Sequence, residues 1–450
     1  MEFIDTSQLL GDLLVKYNYV SFKDFQRCLQ IQGNMENPPP IGQILIDQKL
    51  ITKRALEHVL LLQKKYIQKK EEQILGISIA QLKERLNSED LRDYLKVAVD
   101  VKASDFYLLS GKSPAVRVNG YLLDLPCEAI APEKVRQMLF GILSEREVRM
   151  LEKQRHSMSF CFSLPGIARF RASLFQHHRG FDAIFRIIPF QIPSLEELGF
   201  PKSVYNLLNH TMGMILITGP ASSGKTTTLA AMINELNHRR KGHIISIEDP
   251  IEFVFESKNC LITQREIGRH AESYLSAFRA ALREDANIIV VGELRDPETF
   301  SVALTASETG HLVLGTLHTT NSESTIHRIL DNFPPRMADQ VRGMLSSALR
   351  GIISQKLIPN KEGTGRELAI ELMISNSAIA HLIRENKPHQ IPMILQTHRS
   401  RGMCWMDDSI VELYKKGCIS KKEALYHLED KDKLLSKKPL RSTQKRGYPK

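Results

Sequence analysis

Eight residues, GPASSGKT at 219–226, constrain this chain more than any other stretch. They fit the pattern G-x-x-x-x-G-K-[ST], and their flanks fit it too. MILIT before them reads as a buried strand, and TTTLAAMINEL, which overlaps their end, as a helix. A strand, a glycine-bearing loop and a helix in that order belong at the carboxyl edge of a parallel α/β sheet. Gly219 and Gly224 let the backbone curl until its N–H groups face phosphate oxygens. Pro220, Ala221, Ser222 and Ser223 form the curl, and the helix start adds partial positive charge. Lys225 then reaches the β- and γ-phosphates. Thr226, followed by Thr227, offers a hydroxyl to Mg²⁺. The expectation is a site for ATP or GTP with magnesium.

From about residue 196 the pattern is α/β throughout. HIISI, NIIVV and LVLGTL are further apolar strands, each leading into a loop and a helical stretch. IEDPIEF (247–253) sets Glu248, Asp249 and Glu252 just past the first of these. An acid at that edge orients an attacking water or holds a metal-bound one; a solvated acidic turn is the plain alternative. NIIVVGE ends in Glu293, where a carboxylate beside the magnesium is needed. His311 and His318 bracket LVLGTL. Either can bond the γ-phosphate or the acidic loop, although a lone histidine is more often structural.

Composition closes off other classes. A chain of 450 residues has room for about three domains. With 42% hydrophobic and 25% charged residues it can bury a real core. No apolar run approaches the ~18 residues of a membrane helix. The start, MEFIDTSQLL, lacks the basic-then-apolar pattern of a secretory signal, so secretion is not expected. The formal charge is +10, but seven positive charges, Lys433, Lys437, Lys438, Arg441, Lys445, Arg446 and Lys450, fall in an acid-free stretch at 433–450. The rest is only slightly basic, and no nucleic-acid partner is expected. The tail, 431–450, reads as a solvated end, with anionic lipid or a protein partner as the alternative. Six cysteines are scattered without a C-x-x-C pair. Neither zinc site nor disulfide framework is expected, and a reducing cytoplasm is the expected compartment.

Ahead of the α/β region lie two further expected domains. Residues 1–70 carry a weak tandem repeat. LLGDLLVKYNYVSFKDFQRCLQIQ (9–32) aligns with PIGQILIDQKLITKRALEHVLLLQ (40–63), pairing Gly11 with Gly42, Leu14 with Leu45, Val20 with Ile51 and Phe25 with Leu56. Each copy reads as two short helices, and the copies are expected to bury their apolar faces against each other. A charged helical linker follows at 64–73. Residues 76–195 mix alternating segments, VAVDVKASDFYLLSG among them, with helices at 84–99 and 132–153, which is α+β. The ATPase region then runs over 196–430.

Taken in order, the four loops resemble the secretion ATPase superfamily, which includes type II secretion ATPases and type IV pilus motors. The motifs are a Walker A loop GPASSGKT, an Asp box IEDPIEF, a Walker B stretch LREDANIIVVGELRDPET (282–299) and a His box SETGHLVLGTLHT (307–319). ASDFYL (103–108) and RFRASLFQ (169–176) resemble the family's N-terminal domain, so the likeness spans about 90–430. It implies a RecA-like P-loop ATPase core preceded by an α+β, PAS-like domain. It also implies a homohexameric ring, cytoplasmic and peripheral to the inner membrane, docked on a pilus platform protein, with a second pilus motor ATPase as a further candidate partner. ATP is then expected between the two domains of one subunit. Glu252 matches the general base of the Asp box, beside Glu248, and Glu293 the Walker B acid. His311 and His318 match the His box. Arg171 and Arg186 match arginines that reach the phosphates and complete the site on closure.

Within the superfamily the chain resembles PilT-type retraction motors. ELMISNSAIAHLIRENKPHQIPMILQT (371–397) and GMCWMDDSIVELYKKGCIS (402–420) are similar to their C-terminal helices. Where extension ATPases carry a four-cysteine insertion, QKLIPNKEGTGRELA (355–369) has no cysteine. Two features depart from the pattern. The signature A-I-R-N-L-I-R-E reads AIAHLIRE (378–385). The N-terminal module instead resembles that of extension ATPases, whose tandem R-L-G-x-x-[LVI]-[LVI]-x-x-G motifs can bind cyclic di-GMP. Here Leu9 and Pro40 replace the arginines, and Asn18 and Lys49 the second glycines, so a docking role is expected rather than that ligand. Retraction of a type IV pilus is the leading reading. An extension or secretion motor, and a nucleotide-binding regulatory subunit with little turnover, are the rivals.

Overall fold

The computed structural model describes residues 6–35, 37–86, 90–153 and 156–435. It divides into two units, Met1–Ile188 and Pro189–Lys450. The division falls earlier than the expected 195/196 because Leu195 and Phe200 are buried in the core of the second unit. Residues 436–450 of the basic tail lie outside the described residues. Lys433 is no part of a solvated end: its Nζ donates to Asp408 at 2.7 Å and lies 3.7 Å from the Trp405 ring centroid.

The first unit opens with four helices, α1 (Thr6–Lys16), α2 (Phe22–Gly33), α3 (Ile41–Asp47) and α4 (Lys53–Leu75). Their core obeys the repeat of 31: Leu10 and Ile41, Leu13 and Ile44, Leu14 and Leu45, Val20 and Ile51, Cys28 and Val59 are all buried. Burying each large aliphatic chain contributes roughly 1.5–3 kcal/mol. Ser21 and Thr52, again 31 apart, cap α2 and α4 by accepting the N–H of Asp24 and Ala55. Asn18 and Lys49 hold φ of +57° and +58°, so the left-handed turn persists without glycine. The expected linker is simply the continuation of α4, whose last residue, Leu75, enters the next core.

That next core lies under a six-stranded antiparallel sheet. Its strands are β1 (Asp105–Leu108), β2 (Ala115–Val118), β3 (Tyr121–Asp124), β4 (Ser157–Leu164), β5 (Ala168–His177) and β6 (Gly180–Ile188), in the order β3-β2-β1-β6-β5-β4. Helices α5 (Ile79–Arg85), α6 (Leu91–Asp100), α7 (Pro132–Phe140) and α8 (Glu145–Lys153) accompany it. The VAVD segment (97–100), which the alternating run and the expected helix 84–99 both claim, is the end of α6. Leu91, Tyr94, Leu95 and Ala98 supply buried positions at helical spacing, and that longer period overrides the local alternation.

The second unit is a seven-stranded sheet. Strands β7 (Gly213–Thr218), β8 (Gly242–Glu248), β9 (Cys260–Glu266), β10 (Ile288–Val291), β11 (Leu312–Leu317), β12 (Leu349–Pro359) and β13 (Arg366–Ile374) lie in the order β13-β12-β7-β11-β10-β8-β9. All neighbours are parallel except β12 and β13. β7, β10 and β11 are buried along their whole length, which explains their unbroken apolar runs. Among the described residues no helix is long and apolar enough to cross a membrane.

Candidate functional site

The sheet order β7-β11-β10-β8 sets four chemical groups side by side at one edge. Thr218 pairs with Leu317, Gly315 with Val291, and Val291 with Ile247, so the carboxyl ends of these strands are level. Lys225, His318 and Glu293 follow the first three ends in that order, and Glu248 is the last residue of β8.

The loop after β7 closes on the helix Lys225–Arg239. Gly219 has φ of +148° and Gly224 of +90°. A methyl group on Gly219 would lie 2.5 Å from both the Gln355 carbonyl oxygen and Ser223 Oγ, so only glycine fits. Pro220, Ala221, Ser222 and Thr226 are exposed, Thr227 is half-buried and Ser223 is buried. Ser222 is itself left-handed at +62°. The loop is braced from β12: Thr218 Oγ1 donates to Ser354 Oγ at 2.8 Å, and Gln355 Nε2 donates to Ser223 O at 3.1 Å and Thr228 Oγ1 at 3.0 Å.

An ammonium group has three donors, and all three of Lys225's have acceptors. Its Nζ lies 2.8 Å from Gly219 O, 2.9 Å from Pro220 O and 3.3 Å from His318 Nδ1. Burial lowers its pKa, opposed by the charge of Glu293. His318 bridges the two: Nδ1 faces Lys225 while Nε2 sits 3.1 Å from Glu293 Oε1. The tautomer protonated at Nε2 satisfies both contacts. Arg295 donates to Glu293 Oε2 at 2.6 Å. Burial raises the Glu293 pKa, but Arg295, His318 and Lys225 together outweigh it and the net shift is downward. Glu293 is therefore a fixed anion held by cationic and polar neighbours.

The Asp-box acids separate into two environments. Glu248 is buried, with Oε1 accepting Ser246 Oγ at 2.7 Å and Gln264 Nε2 at 3.1 Å. Desolvation, with the charges of Glu252 and Glu266, pushes its pKa up to about 7. Glu252 is half-buried. Tyr274 lies among these acids, and burial raises its pKa strongly.

His311 does not join the cluster. It stands at the opposite end of β11, its Nδ1 3.2 Å from Ala306 O. The seven residue steps from His311 to His318, at ~3.3 Å each, separate the two histidines by about 23 Å along the strand. Arg171 and Arg186 belong to the first unit, directly opposite each other on β5 and β6.

Residues 154–433 match the family model described as Type II/IV secretion system protein. The chain belongs to this family. Among its type II/IV secretion relatives is the twitching motility protein of Neisseria gonorrhoeae, 46% identical over 69% of this chain and 83% of that one. The type IV pilus retraction ATPase PilT of Pseudomonas aeruginosa is 44% identical over 74% of this chain and 97% of that one. A solved structure of the pilus retraction motor PilT with bound ADP has a TM-score of 0.70 at 43% identity, covering 77% of this chain and 99% of that one.

Sequence reasoning missed three parts of this secretion-family site. Arg295 lies two residues past Glu293, and the run GELRD gave the signal of a cation beside an acid. Ser354 and Gln355 arrive from about 130 residues away. Two buried polar residues within the otherwise apolar run GIISQKLI were their only trace. Tyr274 left none.

Proposed function

We propose that this chain is an ATP-hydrolysing motor that retracts a type IV pilus, the activity named in its relative from P. aeruginosa, while twitching motility is named in that from N. gonorrhoeae. The observation that carries the enzymatic part is the linked set Lys225–His318–Glu293, in which phosphate-binding cation, histidine and acid are already joined at 3.3 and 3.1 Å. A γ-phosphate entering the loop meets Lys225 and the N–H groups at the helix start, with Gly219, Pro220, Ala221, Ser222, Ser223, Gly224, Thr226 and Thr227 around it. His318 relays its position to Glu293. Glu252, less buried than Glu248, accepts the proton of the attacking water, and Glu248 keeps that loop in place through Ser246 and Gln264.

Thr226 and Glu293 offer oxygen donors of the kind a small hard cation takes, and these residues would hold Mg²⁺. When bound there, the ion would neutralise charge on the phosphate oxygens. Arg171 and Arg186 are proposed to supply further positive charge to the phosphates. Ring assembly as a homohexamer, docking on an inner-membrane platform protein and a peripheral cytoplasmic location complete the reading. Residues 1–70 serve as a docking module.

Phosphate release by the purified full chain tests the enzymatic part. Lys225→Ala and Glu293→Gln are expected to fold and to lose turnover. Wild-type turnover in either variant removes that residue from the site, and absence of turnover in the wild type favours the regulatory-subunit reading.

A further inference from the structure

A single row of side chains crosses the first sheet. Arg171 on β5 pairs with Arg186 on β6, Arg186 with Asp105 on β1, and Asp105 with Arg117 on β2. Residues directly opposite in an antiparallel pair share one face. The adjacent row, Val116, Phe106, Phe185 and Ala172, is buried in the core. The charged row therefore stands on the other face.

Two arginines directly opposite weaken a sheet, because like charges sit about 5 Å apart at Cβ. Asp105 is the only acid in the row. Its carboxylate is buried, with the side chain 10% exposed, and each oxygen has a donor. Ser104 Oγ donates to Oδ2 at 2.8 Å and Arg186 Nε to Oδ1 at 3.1 Å. Arg117, on the other side, uses its donors elsewhere: Nε on Tyr107 Oη and Nη1 on Gly120 O, both at 3.0 Å. Asp105 is thus committed to Arg186. The bond uses the Nε edge of a guanidinium that is itself half exposed at 49%. A long arginine free at the surface loses much rotamer freedom when it binds an anion. One anchored at Nε has lost most of it beforehand, while its terminal nitrogens keep the fork that suits phosphate oxygens.

We propose that Asp105 is a positioning residue for phosphoryl transfer, fixing the Arg186 guanidinium by its Nε edge and leaving the terminal nitrogens for phosphate oxygens. This rests on the reading that Arg186 acts on the nucleotide, and the test separates the two. Steady-state ATP turnover is measured on the full chain with Asp105→Asn, Arg186→Ala, the double variant and Asp105→Glu. A misplaced catalytic group costs up to about 100-fold. Asp105→Asn is expected to lower kcat by about 10- to 100-fold with KM little changed. The double variant is expected to be no slower than Arg186→Ala alone, since the two substitutions remove one function. Asp105→Glu keeps the charge but moves it by one methylene, and is expected to fold and lose kcat as well. Additive losses in the double variant, or wild-type kcat in Asp105→Asn or Asp105→Glu, overturn the proposal. Wild-type kcat in Arg186→Ala instead overturns the arginine reading itself, and the role of Asp105 with it.

Discussion

Alanine at Gly219 and at Gly224 separates two kinds of cost within one loop. At Gly219 the φ of +148° strains any L-residue, and the new methyl meets the Gln355 carbonyl oxygen and Ser223 Oγ at 2.5 Å. The first contact is with backbone and cannot be relieved by a rotamer change. Conformational strain of about 1–3 kcal/mol and overpacking of similar size give about 4 kcal/mol. At Gly224 φ is +90°, but the nearest atom, Gln355 Nε2, is 3.5 Å away, so only the strain remains. That is about 1–2 kcal/mol. In a unit of this size 1 kcal/mol moves the melting point by about 2–4 °C. Thermal unfolding without nucleotide should therefore fall by roughly 8 °C or more for Gly219→Ala and by no more than about half of that for Gly224→Ala. Equal losses, or a larger one at Gly224, would refute the picture of a loop clamped against β12.

Two further outcomes follow from burial. Glu248 is held at a pKa of about 7, against an ordinary 4.5. Its folded pKa is raised, so between those values the unfolded chain has released a proton that the folded one keeps, and stability falls as pH rises through that window. Glu248→Gln retains the acceptor for Ser246 and Gln264 and should be more stable than wild type above pH 7, by about 3 kcal/mol, with the difference vanishing near pH 4; denaturant midpoints across pH 4–8 measure it. Ile383 is fully buried in the main core of the second unit while His381, on the same helix Ser377–Arg384, is exposed. Ile383→Ala should cost about 2–5 kcal/mol in denaturant unfolding and His381→Ala less than about 0.5 kcal/mol.

The phosphate loop, the acid after β10 and the histidine after β11 were legible because each follows a fully buried parallel strand. Such strands read as unbroken apolar runs, and ligands meet their carboxyl ends. The departures in AIAHLIRE are equally intelligible. Ile379, Leu382 and Ile383 face the core, whereas Ala380 is half-buried and His381 exposed, so the changed positions avoid the packed face. What the sequence hid was the partnership between distant strands. Nothing near GPASSGKT announces that Gln355 braces it, because that contact exists only once β12 pairs with β7. His311 misled for the opposite reason. It is close to His318 in the chain, but an extended strand carries its two ends apart.

Pilus length followed in living cells with labelled pilin tests the central claim most directly. The cells carry either the wild-type chain or Glu293→Gln as the only copy. The account predicts that wild-type cells extend and withdraw pili, and that Glu293→Gln cells still extend them but fail to withdraw them, so that pili accumulate and twitching stops. Cells that make no pili with Glu293→Gln would contradict retraction and identify an extension motor instead.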